Sequence, residues 1–225
     1  MSEVYTFWQE YANMDMSHER FMRYCIRQKE KKVNYMCKPI SAIRDKSAQE
    51  LLEIGGQTGK IPVDIKSLLK KLGISCLPYD FTDLEIAKCR AENTKLLNPI
   101  LGALVTNGDK AVIFYRKQDR VDSHRYRFTV AHELGHCCLG HISEGNSIVH
   151  LSYRQEITTN DERETAANIF AGQLLIPKDA LESVMEQLIL PSVQTLAEVF
   201  AVSTNVMLER LKYLKVTANI SGYNY

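Results

Sequence analysis

The chain has 225 residues, 45% of them hydrophobic and 24% charged, with a formal net charge of +1. That is enough apolar material for one main core with extensions, and the near-neutral balance excludes a global electrostatic pull toward nucleic acid or anionic membrane. Apolar runs such as ILGALV at 100–105 fall far short of the roughly 20 residues that cross a bilayer, and the first twenty residues, with Glu3, Glu10, Asp15 and Glu19, hold no signal-peptide run, so a cytoplasmic protein outside the membrane is expected.

Residues 1–46 are polar, aromatic-rich and weakly periodic, and SHERFMRYCIRQKEKK puts Phe21, Met22, Cys25 and Ile26 on one helical face. They read as an N-terminal helical extension without an assigned role. Next, Leu51, Leu52 and Ile54 form one short helical face; Val63, Ile65, Leu68, Leu69 and Leu72 form a second, with Gly73 at the stop position. ISCLPYDF reads as a short strand. In ILGALVTNGDKAVIFYR, Asn107 and Gly108 separate two β-prone runs, the strongest short-range hairpin signal, so a small antiparallel sheet is predicted. The histidine-rich segment follows as a helix, and a loop then leads to NDERETAANIFAGQLLIP, helical until Pro177 forbids continuation. PSVQTLAEVFAVSTNVMLERLKYLK reads as two helices around a tight bend at 201–203. The expected division is an extension at 1–46, a core at 47–178 and a C-terminal helical, helix-turn-helix-like segment at 179–225. Cys25, Cys37, Cys76, Cys89, Cys137 and Cys138 form no Cys-x-x-Cys pair and read as free buried thiols in a reducing compartment.

The stretch RFTVAHELGHCCLGH holds three of the six histidines. On a helix, positions four apart lie about 40° apart and roughly 6 Å along the axis, so His132 and His136 can grip one ion. Glu133, about 100° from His132, can reach a water on that ion as general base. Two histidines leave zinc one protein ligand short of a catalytic site. The extended metzincin pattern would need Gly at 139 and His at 142, where Leu139 and Ile142 stand; His141 is out of register and reads better as a polar helix-end residue. The alternative is a carboxylate from the later helix, Glu162 or Glu164, which differ by about 200° so that only one can face the ion. Glu164 shares a face with Asn168 and Ala171, and an asparagine one turn on could orient a carboxylate. Cys137, one turn after Glu133, could latch onto zinc, but a small buried hydrophobe is the preferred reading.

RFTVAHELGHCCLGH followed by ETAANIFAGQLLIP resembles the ImmA/IrrE metallopeptidase family, and the resemblance runs over about residues 47–214. It implies an α+β zincin-like core with an active-site helix, zinc held by His132, His136 and Glu164, and Glu133 as the catalytic glutamate. Ala166 departs from the pattern, which often has glutamate there. The resemblance also implies the substrate, a helix-turn-helix repressor protein of a phage, mobile element or stress operon, cut at one site to release transcription. Selectivity would come from docking, with the hairpin strand at 111–115, if it lies at the sheet edge, pairing with an extended substrate segment. A second reading is a DNA-binding regulator with a structural metal site, in which Arg210, Lys212 and Lys215 lie on the second helix of TLAEVFAVSTNVMLERLKYLK. The peptidase pattern contains that same segment, so nucleic acid is the less favoured partner. No sequence feature addresses oligomeric state.

Overall fold

The computed structural model describes residues 39–82, 85, 99–107, 111–119, 123–141, 147–153 and 161–216. The predicted helix around Phe21, Met22, Cys25 and Ile26 lies outside them, as do Cys37 and Cys89. Helix α1 spans Ala48–Gly55 and opens on a capping box, in which Ser47 accepts from the Glu50 N–H and Glu50 accepts from the Ser47 N–H. It buries Ala48, Leu51, Leu52 and Gly55, an i, i+3, i+4, i+7 arc. Ile54 lies off that arc and is 45% exposed, which corrects the predicted face. Helix α2, Ile65–Leu72, is capped by Asp64 and stopped by Gly73 at φ +71°, and it buries the expected Ile65, Leu68, Leu69 and Leu72.

Four strands follow, β1 (Ser75–Tyr79), β2 (Ile100–Asn107), β3 (Ala111–Arg116) and β4 (Ser147–Tyr153), in the order β1-β3-β2-β4. The β2–β3 pairing is the predicted antiparallel hairpin, with Leu104 opposite Ile113. However, β1 runs parallel to β3, so the sheet is mixed rather than antiparallel. A strand's own residues do not say which way its partner runs. The structure also puts β3 inside the sheet, its backbone engaged by β1 on one side and β2 on the other. It therefore has no free edge for a substrate. Strand β4, which the sequence left within a loop, pairs antiparallel with β2 and forms one edge of this sheet.

Five helices complete the order: α3 (His124–Cys138), α4 (Glu162–Leu175), α5 (Lys178–Gln187), α6 (Val193–Phe200) and α7 (Thr204–Tyr213). Helices and a small sheet make the chain α+β. Ser123 caps α3, Asp161 caps α4, and Pro177 follows the end of α4 as expected. One hydrophobic cluster runs from Ile40 and Ile43 through α1, α2, one face of β3 and the inner faces of α3 and α4 to Leu211 on α7. Cys137 and Cys138 are free and buried within it. Burial pushes the Cys138 thiol up to about 12 and the Cys137 thiol up as well, so both behave as small hydrophobes. Among the described residues, no helix is long and apolar enough to cross a membrane.

Arg127, at the start of α3, is buried and spends its guanidinium on the backbone. It donates to the carbonyls of Ala201 at 2.9 Å, Val63 at 2.8 Å and Phe200 at 3.4 Å. Ala201 is left-handed, φ +51°, so the arginine ties that bend to the active-site helix. The helix-turn-helix-like segment is thereby packed into the same body as the histidine helix.

Candidate metal centre

Helices α3 and α4 approach closely because Gly135, inside HELGH, has no side chain. A Cβ there would sit 3.2 Å from the Ala167 carbonyl and from the Phe170 ring. This approach brings the first turn of α4 to the histidine face of α3. Glu164 lies in that first turn, where the positive end of the helix dipole favours a carboxylate.

The Nε2 atoms of His132 and His136 are 3.0 Å apart. Glu164 places Oε2 3.3 Å from His132 Nε2 and Oε1 3.4 Å from His136 Nε2. Metal–ligand bonds of about 2.0–2.1 Å in a tetrahedron put neighbouring donors roughly 3.3 Å apart. The closest approaches are near that edge, those of Glu164 being made by a different oxygen to each histidine, and among the described residues this is the group whose donor atoms converge within 4.8 Å. The donor set is the nitrogen–nitrogen–carboxylate type that suits zinc.

The two rings are aimed from behind. His132 Nδ1 lies 2.9 Å from Asn168 Oδ1, which can only accept, so the Nδ1 proton is engaged and Nε2 is left with its lone pair. His136 Nδ1 lies 3.0 Å from His141 Nδ1, and a proton on His136 Nδ1 frees its Nε2 in the same way. Asn168 thus orients a histidine rather than the carboxylate its position had indicated. His141 stands behind a candidate ligand, outside the converging group. Burial, reinforced by the charges of His132 and His150, pushes the His136 imidazole down to about 2, so it stays neutral and available.

Glu133 is fully buried beside this group, at 0% exposure. A Cβ on Gly102 of β2 would run into the Thr129 side chain and sit 3.3 Å from Glu133 Oε1, so glycine there leaves space for the carboxylate. His150 on β4 completes the cleft, with Nε2 2.9 Å from Glu164 Oε1 and Nδ1 3.4 Å from Glu133 Oε2. Burial works against its charge, but the hydrogen bonds to Glu133 and Glu164 raise it to about 9. Burial likewise opposes ionisation of Glu164, yet the neighbouring His132 and the hydrogen bond from His150 hold its carboxyl below the usual range. Sequence reading missed His150, which sits in no motif and on an unforeseen strand.

Other residues fall elsewhere. Glu162 is exposed and outside the converging group. Cys137 points into the apolar cluster. Arg210, one of the three basic residues of the nucleic-acid reading, is 7% exposed and donates through Nε to the Ile176 carbonyl at 3.0 Å, satisfying the end of α4. Lys212 is exposed and paired with Glu209 at 2.8 Å. Arg210→Glu should therefore destabilise the fold by roughly 3–5 kcal/mol, as an uncompensated buried charge does. Lys212→Glu should leave chemical denaturation nearly unchanged, and equal midpoints for the two variants would contradict the capping role.

Compared with known families, residues 93–212 match the model of the IrrE N-terminal-like domain, Peptidase M78. The match covers more than half of the chain and includes β2, β3, β4, α3 and α4. A search of curated proteins finds no match.

Proposed function

We infer the function from two facts, that the chain belongs to the Peptidase M78 family of IrrE N-terminal-like domains and that His132, His136 and Glu164 bring their donor atoms within 4.8 Å of one another: it is a zinc-dependent endopeptidase. The spacing of those three donors carries the reading. When bound, zinc supplies Lewis acidity that lowers the pKa of water and polarises the scissile carbonyl.

The chain's own residues do the rest. His132 and His136 bind through Nε2, because their Nδ1 atoms face Asn168 and His141. Glu133 takes a proton at its carboxylate as the water oxygen bonds to the carbonyl carbon. As the carbon–nitrogen bond breaks, the same carboxyl returns that proton to the leaving amine. Its burial keeps bulk water from competing for the proton.

An extended substrate segment fits the outer edge of β4, the strand that carries His150 into the cleft, in place of β3. Beside α3 runs a groove of about 720 Å³ whose walls include Leu101, Phe128, Thr129 and Val206. Phe128, in that wall, holds its ring 6.3 Å from that of His132, one helical turn on, and we assign substrate side chains to the groove on that side of the site.

The substrate we assign, on the family resemblance, is a helix-turn-helix repressor in the cytoplasm, cut at one bond. Glu133→Gln protein should co-purify with the repressor encoded beside its own gene, and wild-type protein should cut that repressor once while sparing casein. Rapid degradation of casein by the wild-type chain would recast it as a general peptidase.

A further inference from the structure

We propose that His150 is a positioning residue that anchors the Glu164 carboxylate, through Nε2–H donated to Oε1, in the orientation that faces the two histidine nitrogens. This rests on the metallopeptidase reading above. A carboxylate on the first turn of a helix can swing among several rotamers, and a ligand that swings binds weakly. Here the 2.9 Å bond from His150 ties one oxygen down, while the other stays 3.3 Å from His132 Nε2. Orienting contacts of this kind typically contribute 10–100-fold in metal affinity.

The imidazole is itself held in place. Its ring lies 4.0 Å from that of His136, centroid to centroid, with the planes 36° apart. Its backbone sits in the β4–β2 ladder opposite Leu104, so a strand rather than a loop sets its position. Its Nδ1 faces Glu133 Oε2 at 3.4 Å, which makes one ring a spacer between the general base and the candidate ligand. The ring stands outside the set of donors that converge within 4.8 Å, namely His132, His136 and Glu164.

Amide substitutions separate the two ring nitrogens. Glutamine carries its amide nitrogen near the Nε2 position and can donate to Glu164; asparagine reaches only the Nδ1 position. Zinc affinity of the full-length chain, measured by competition with a chromophoric chelator, should fall about 10–100-fold in His150→Ala and His150→Asn. In His150→Gln most of the affinity should return. Visible spectra of the cobalt-substituted proteins should shift in the Ala and Asn variants and match wild type in the Gln variant. Melting of the metal-free proteins separates this from a general loss of fold. If His150 only balances two carboxylates in the metal-free cleft, removing it leaves zinc affinity equal or tighter, and that result overturns the proposal. A wild-type chain that binds no zinc would instead sink the metallopeptidase reading itself.

Discussion

Glu133→Gln should fold, keep its metal and lose at least roughly a hundredfold in turnover, the scale of a missing general base. The substitution is isosteric, and it sits where shape matters because Glu133 is wholly buried with its Oε1 close over Gly102. None of the three converging donors is altered, since Glu133 lies beside the group. An amide oxygen can still accept a hydrogen bond from His150, so the local network survives. What the amide cannot do is take a proton from water and hand it to the leaving nitrogen. Cleavage of the repressor, followed on a gel beside metal analysis of the same preparation, checks both halves. Wild-type turnover in this variant would remove Glu133 from the mechanism, while loss of metal would make it a structural partner of the site.

The parts of the site legible in the sequence were those set by local periodicity. His132 and His136 share a face because they stand four apart on a helix, and Glu162 and Glu164 cannot both face one ion because they stand two apart. The stop at Pro177 is chemistry between near neighbours, since a proline cannot continue a helix. What was hidden depends on pairings between distant residues. β4 exists as a strand through its ladder to β2; SIVHLSY does alternate from Val149 to Tyr153, so a strand signal was there, but nothing local says which strand it would pair with. His150 enters the cleft only because that ladder forms. The parallel pairing of β1, and with it the interior place of β3, is likewise a relation between segments. Arg127 belongs to the histidine motif in sequence, yet its work is done at carbonyls more than sixty positions away in either direction. Asn168 was found on the right face and given the wrong partner, because the turn of α4 that presents Glu164 carries the asparagine toward His132.

The candidate ligand set yields the sharpest contrast. Wild-type protein should carry about one zinc per chain, and His132→Ala, His136→Ala and Glu164→Ala should each lose it, because one remaining pair of donors cannot fill a site that needs three protein ligands. Glu162→Ala should keep it. That control is exacting, since Glu162 and Glu164 lie in the same first turn of α4, carry the same charge and feel the same helix dipole. A diffuse electrostatic attraction for cations would weaken in both variants alike, whereas ligation depends on which carboxylate meets His132 and His136. Ion binding stabilises the folded state by mass action, so zinc should raise the melting temperature of wild type and of Glu162→Ala and leave Glu164→Ala unmoved. Metal content after dialysis against a weak chelator, read together with those melting shifts, decides it. Zinc retained in Glu164→Ala would move the third ligand elsewhere, with His150, 2.9 Å from the deleted carboxylate, as the nearest nitrogen to take its place.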